Sequence, residues 1–238
     1  MCNTKRAVFA DDVLASYDGR IGLVSNSIWR LRRGAAVLGF ALCFFSTGVT
    51  AQTAPPADPG RPQAIIAGFN ESLLGAMKNA DTLGFPGRWK ALAPPLTQVF
   101  HLPVMTRIAV GTHWRKLTPE QQDRLVDSFS RLTIATYANR FDGWSGESFE
   151  MRGMENVRDK TVLVKTAIIR PNDEPVEINY LMRRFETGWR VIDVFLKRSY
   201  SELATKRSEY SSVLRRHGFD TLIRQIEEKI TQYAAGTG

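Results

Sequence analysis

The residues best able to do chemistry are few in this chain, and their spacing removes most reaction classes. The three histidines, His101, His113 and His217, stand far apart, and none belongs to an H-x-x-x-H or H-E-x-x-H pattern. One helix turn therefore cannot bring two imidazoles onto a metal ion. There is no G-x-S-x-G and no P-loop, so neither a serine nucleophile on a strained turn nor a phosphate-cradling loop has support. Asp193, inside the apolar run Val191-Ile-Asp-Val-Phe, is the one carboxylate that could act as an acid or base in a cavity. The competing reading pairs it with Arg184 or Arg190, or exposes it on a sheet face, because a buried charge needs a partner. No cofactor and no metal is expected.

Cations are the commoner feature. Arg183-Arg184, Lys197-Arg198, Lys206-Arg207 and Arg215-Arg216 cluster in the C-terminal third, where they could hold phosphate groups or acidic partner surfaces, or form a solvated face. From Gln52 onward the chain has 26 Lys+Arg against 21 Asp+Glu, a net charge of about +5. Base-stacking aromatics are not interleaved with these cations, so nucleic acid is not expected.

Positioning these groups requires a folded domain, and the hydrophobic periodicity outlines one. Ile66, Phe69, Leu73, Met77 and Ala80 recur at helical spacing, and Gly84-Phe-Pro-Gly87 reads as the loop ending that helix. Residues 89–100 and 102–110 read as short helices interrupted by Pro94-Pro95 and Pro103. Thr118-Pro-Glu-Gln121 is a capping box opening a helix to about Arg140, with Leu125, Phe129, Leu132 and Tyr137 inside. After Gly143 the period changes to two. Residues 161–169, 176–182 and 189–196 are rich in β-branched and aromatic residues and are separated by the turns at 171–174 and 186–188. A further strand is expected near 147–154. Ser199 with Glu202 predicts another capped helix through Leu203, Tyr210 and Leu214. Gly218 ends it, and Leu222, Ile226, Ile230 and Tyr233 form a last stripe.

The expected fold is therefore α+β: N-terminal helices, a curved antiparallel sheet of about four strands, and C-terminal helices, together enclosing an apolar cavity in an NTF2/cystatin-like shape. The apolar residues expected to line it are Met105, Ile108, Phe129, Tyr137, Val164, Ile168, Tyr180, Met182, Val194, Tyr210 and Leu214. Periodicity alone leaves open whether they enclose a ligand or one another.

The N-terminal region reads differently. Trp29-Arg-Leu-Arg-Arg33 precedes an uncharged run from Gly34 to Ala51 that ends in Val49-Thr-Ala51, the order of a secretory signal cleaved before Gln52. A membrane anchor is the alternative, and the small and polar residues Ser46, Thr47, Gly48 and Thr50 argue against it. Leu42 before Cys43 is too bulky for a lipoprotein site. Residues 1–28 carry Asp11, Asp12 and Asp18, unusual ahead of a signal, and are expected to be a mis-assigned extension. Residues 52–62 form a proline-rich linker and 63–235 the domain. Cys2 and Cys43 both precede the cleavage point, so the exported chain would have no disulfide or thiol chemistry.

Gly188-Trp-Arg-Val-Ile-Asp-Val-Phe-Leu196, the segment Ser201–Asp220 with Leu214-Arg215 and Gly218-Phe-Asp220, and Leu222-Ile223 resemble the MlaC/toluene-tolerance family, which shows a G-W-[RK]-[VI]-x-D strand and a later G-[FI]-[DE]-x-L. Residues 80–92, 100–107 and 117–121 extend the likeness across about 61–233. The stretches 100–107 and 202–210 look most like the hopanoid-associated HpnM branch. The resemblance implies a non-enzymatic periplasmic carrier, expected to be a monomer, that takes a phospholipid or hopanoid between an inner-membrane transporter complex and an outer-membrane lipoprotein complex. It also implies lipid tails between helices and sheet. Arg183, Arg184, Lys206 and Arg207 are then the expected headgroup or partner contacts. Two other classes stay open at this point: a cavity enzyme acting on a lipid or isoprenoid through Asp193, and a scaffold subunit that carries nothing.

Overall fold

A computed structural model describes residues 60–196 and 200–236. The expected extension, signal segment and most of the proline-rich linker lie outside these residues, as do Lys197, Arg198 and Ser199.

Helix α1 (Pro62–Lys78) begins with proline in its first turn, where the missing N–H costs nothing, and buries Ile66, Phe69, Leu73 and Met77 along one stripe. The next helix departs from expectation. The expected loop at 84–87 is reduced to a break at Gly84, whose φ of 58° lies in the left-handed region and kinks α2 (Ala80–Val99) into two helical pieces. Pro94 and Pro95 remain inside it. Each removes one N–H to a carbonyl four residues earlier, on Lys90 and Ala91, and both of those residues are exposed, so water replaces the lost bonds while Leu92 and Leu96 hold the helix to the core at 0% exposure. Pro103 does not interrupt a helix; it opens α3 (Leu102–Val110). A 3-10 turn (Gly111–Lys116) follows, then α4 (Pro119–Arg140). Its capping box forms as the sequence predicts: the Gln121 N–H donates to Thr118 Oγ1 at 3.3 Å and the Thr118 N–H to Gln121 Oε1 at 3.1 Å.

The strands are β1 (Ser148–Arg158), β2 (Thr161–Arg170), β3 (Asp173–Phe185), β4 (Gly188–Leu196) and β5 (Tyr200–Ser201). They form an antiparallel meander in chain order. Here the expected architecture is corrected. The sheet has five strands, not about four, and it is neither closed nor strongly curled: β1 and β5 are opposite edges and do not pair. A two-residue β5 offers too few ladder bonds to carry the sheet round onto β1. The inner face of the sheet is buried. Val164, Tyr180 and Val194 lie in register across β2, β3 and β4 and are 0–6% exposed, with Met182 and Ile168 buried beside them. The NTF2/cystatin-like enclosing shape is therefore not the one adopted.

Both edges are managed. β1 carries two register shifts, at 151/153 and 156/158, which spoil it as a template for another strand. The open side of β4 is taken by β5 at one end, and at the other by a parallel bridge from Phe100, with the His101 N–H donating to the Val191 carbonyl at 2.9 Å.

Helices α5 (Glu202–His217) and α6 (Phe219–Ala234) complete the chain, hinged at Gly218, whose φ is 79°. The cap of α5 is Ser201 rather than Ser199; its hydroxyl accepts from the Ala204 N–H at 2.9 Å. Helix α6 packs on α4 through Leu222, Ile223, Ile226 and Ile230. Glu227 crosses to Ser128 and Arg131. A buried cation pins α2 to α4: Arg88 donates from Nε to the Ala138 carbonyl at 2.8 Å and from Nη1 to the Ala80 carbonyl at 3.1 Å. No described helix is long and apolar enough to cross a membrane.

Candidate functional site

Three turns of α1 present Ala64, Gly68 and Ser72, one small residue every four, so that face of the helix offers almost no side-chain bulk. Opposite it stand Pro95 and Gln98 near the end of α2, and the β3–β4 turn contributes Thr187 to Arg190. Between them lies a half-open cleft of about 500 Å³, within the size range of small-molecule sites. Phe69 and Val99, 1% and 7% exposed, form its floor. Below that floor Phe69 meets Phe100, Tyr137 and Tyr180 edge-on, with ring centroids 5.2, 5.7 and 6.1 Å away.

The rim is cationic. Arg190 Nη1 donates to the Thr97 carbonyl at 3.3 Å and to the Gln98 carbonyl, a positive charge held against the C-terminal end of α2, where the helix dipole favours it. In register, Arg183 faces Arg190 and Arg184 faces Trp189. The sequence-predicted contacts Arg183 and Arg184 are therefore strand neighbours of two cleft residues without lining the cleft themselves; both are exposed, and Arg183 lies over the Phe185 ring. Lys206 and Arg207 belong to α5: Lys206 pairs with Glu209 at 3.2 Å, and Arg207 lies over Gly111.

Of the apolar residues expected to line a cavity, none lines this cleft. Tyr137 and Tyr180 reach its floor through Phe69. Met105, Phe129 and Tyr210 are buried on helices, Leu214 is half-buried, and Ile108 is at the surface with 36% exposure. Burial pushes the Tyr137, Tyr180 and Tyr210 phenols above their ordinary range, so all three are neutral. Sequence reading missed Ala64, Gly68 and Ser72 because a run of small residues adds nothing to an apolar stripe; their four-residue spacing was the available signal.

Asp193 is neither exposed nor paired with Arg184 or Arg190. It is 8% exposed. Oδ1 accepts from the Val194 and Leu203 N–H groups at 2.8 and 3.2 Å, and Oδ2 accepts from the Ser201 hydroxyl at 2.6 Å. Desolvation raises its carboxyl above the usual range, opposed by the Ser201 bond and the two backbone bonds. A carboxylate holding the start of α5 to β4, with both oxygens engaged and outside the cleft, is a structural clasp rather than a base. Among the described residues no three His, Cys, Asp or Glu converge as a metal would require.

His101 caps α3, its Nδ1 accepting from the Val104 N–H at 3.4 Å, and it packs on Phe185 with centroids 4.4 Å apart. Burial lowers its pKa, and the Arg190 charge lowers it further, against its own backbone bond. The folded state then binds the proton less readily than the unfolded chain, so stability is complete above the unfolded value of about 6.5 and falls as pH drops through it. Urea midpoints measured between pH 7.5 and 5 should decline. His101→Asn, which keeps a capping oxygen and cannot titrate there, should flatten that decline; an unchanged slope would assign it to other groups.

The family model described as MlaC protein matches residues 69–228, more than half of the chain. The chain belongs to the MlaC family. The Haemophilus influenzae intermembrane phospholipid transport system binding protein MlaC is 20% identical over 127 residues, which is 52% of this chain and 59% of that protein, so the match spans less than two thirds of this MlaC relative. A phospholipid-binding protein from Ralstonia solanacearum, solved in complex with a phospholipid, shares the fold with a TM-score of 0.64 at 23% identity, covering 72% of this chain and 98% of that one.

Proposed function

We propose that this member of the MlaC family is a periplasmic lipid carrier that seats a phospholipid or hopanoid against the small-residue face of α1, with the headgroup towards Arg183, Arg184 and Arg190. The observation that carries this reading is the cleft: small residues with Ile65 on one wall, aromatic rings beneath, Arg190 at the rim, and no catalytic group among its lining residues. Apolar tails leaving a bilayer lose roughly 0.8 kcal/mol per methylene if left in water, so a carrier must cover them, and a wall of Ala, Gly and Ser lets a chain lie close to the helix. The named relatives, described by their phospholipid transport and phospholipid binding, support the same ligand class. We place the protein after cleavage before Gln52, as a monomer passing lipid between an inner-membrane transporter complex and an outer-membrane lipoprotein complex. The HpnM-like segments favour a hopanoid among the possible lipids.

Native mass spectrometry of the protein from its own cells should show one bound lipid per chain, and extraction should identify it. A chain that is reproducibly empty, and that takes up no lipid from vesicles, would sink the proposal. Gly68→Leu places the site. A Cβ at Gly68 meets no atom within 4 Å, and leucine in a helix interior gains roughly 0.8 kcal/mol of propensity over glycine. The variant should fold at least as stably while its lipid load falls at least fivefold. An unchanged load would move the ligand elsewhere.

A further inference from the structure

The surface formed by α3, the 3-10 turn and α5 carries charge that the lipid site does not use. Residues 102–117 contain Arg107, Arg115 and Lys116 and no acid. Helix α5 packs on both segments. The contact point is Gly111: a Cβ there would lie 2.7 Å from Arg207 Nε, so the guanidinium rests directly over the glycine. Arg107 is one helical turn before Gly111, whose N–H donates to the Arg107 and Ile108 carbonyls, and Arg215 lies two turns beyond Arg207 on the same stripe of α5.

The acids around this face are spoken for or stand apart. Glu209 pairs with Lys206, and Glu202 with Arg140 at 3.4 Å. Glu120 and Asp123, in the first turns of α4, make no ion pair with the face among the described residues. Arg107, Arg115, Lys116, Arg207 and Arg215 are all exposed, and none has an ion-pair partner among the described residues. Ile108, 36% exposed, stands beside Arg107, and Trp114 is half-buried in the 3-10 turn.

We propose that this face docks the protein on the anionic surface of a lipid bilayer, the five cations lying over headgroup phosphates and Ile108 entering the interface. Charge complementarity favours a bilayer over an acidic protein. An acidic protein would have to meet this patch with a negative one matched in shape and position, whereas a bilayer needs only summed positive charge with an apolar point among it, which Ile108 supplies. Docking by this face would hold the carrier at a membrane while lipid enters or leaves the cleft, and it stands whether or not the cleft holds the lipid.

The test is flotation of the chain from Gln52 onward, which contains every described element, with vesicles of phosphatidylglycerol and phosphatidylcholine in equal parts and with phosphatidylcholine alone. Binding should appear only on the anionic vesicles and should fall between 50 and 500 mM salt, as roughly 3 Å screening at molar salt replaces 10 Å screening at 0.1 M. Each cation near such a surface is worth about fivefold, so Arg107→Gln/Arg115→Gln/Arg207→Gln should weaken binding about 100-fold. Lys90→Gln/Arg158→Gln/Lys160→Gln, which removes the same charge elsewhere, should change it less than tenfold. Equal losses in the two triple variants, or no binding to anionic vesicles, would overturn the docking face; the latter result would leave an acidic protein as its partner. Gly68→Leu should bind vesicles normally. Binding lost in Gly68→Leu and kept in the Arg107/Arg115/Arg207 variant would show attachment through the cleft and overturn the face.

Discussion

Replacing Asp193 by alanine should lower the unfolding free energy by about 4 kcal/mol, measured by urea denaturation followed by circular dichroism. The carboxylate accepts three hydrogen bonds, from Val194, Leu203 and Ser201, and alanine would leave those donors unanswered in a site only 8% exposed. Each buried unpaired donor costs about 1–3 kcal/mol, and relaxation of the α5 start returns part of that. Asparagine keeps the acceptor for both N–H groups and should cost about 1 kcal/mol. The pair of variants separates two roles. If Asp193 clasps α5 to β4, Asp193→Asn retains its lipid load and most of its stability; a lost load in a stable Asp193→Asn would make the carboxylate part of the site. An alanine cost below 1 kcal/mol would show that the start of α5 is held by Ser201 alone.

Asp193 also shows what a linear reading can and cannot see. A carboxylate between Ile192 and Val194 in an apolar strand is recognisable as unusual, but two of its three partners are eight and ten residues on, at the start of the next helix. Neither Arg184 nor Arg190 balances it; backbone N–H groups at a helix start offer positive potential without a charged side chain. The strands and the capping box at Thr118 were legible because their signals are local: period two in residues 161–169 and a Thr-Pro-x-Gln motif. Sheet curvature is not local. Nothing within a strand states how far its neighbours turn, and β5, only two residues long, has too little sequence to form a pattern. The proline rule failed at α2 for a related reason. Its penalty depends on whether the orphaned carbonyls can reach water, which is a property of the folded surface around Lys90 and Ala91.

The cleft was hidden for the converse reason. Apolar periodicity finds residues that fill space, and Phe69 was found that way; the site beside it is made by Ala64, Gly68 and Ser72, which leave space. The cationic rim was half legible. Arg183 and Arg184 stand out in the sequence as a pair, but β3–β4 register is what sets them opposite Arg190 and Trp189, and the same composition on α5 faces another surface.

Phe69→Ala should cost about 3 kcal/mol, at the lower end of the roughly 3–5 kcal/mol seen for deleting a buried phenylalanine. The ring is 1% exposed and touches three aromatic neighbours edge-on, contacts worth about 0.5–1.5 kcal/mol each beyond area burial, which alone would argue for the upper end. Position argues the other way. Phe69 is also the floor of the cleft, so the vacated space opens onto a half-open channel instead of forming a sealed void, and water or a lipid chain can enter it. Phe69→Leu, which keeps most of the volume, should cost about 1 kcal/mol. The decisive comparison is Phe69→Ala with and without lipid. Added lipid should restore stability to the alanine variant more than to the parent, because the deepened cleft lets a tail take the place of the ring, whereas equal stabilisation of both would mean that bound tails stop above Phe69.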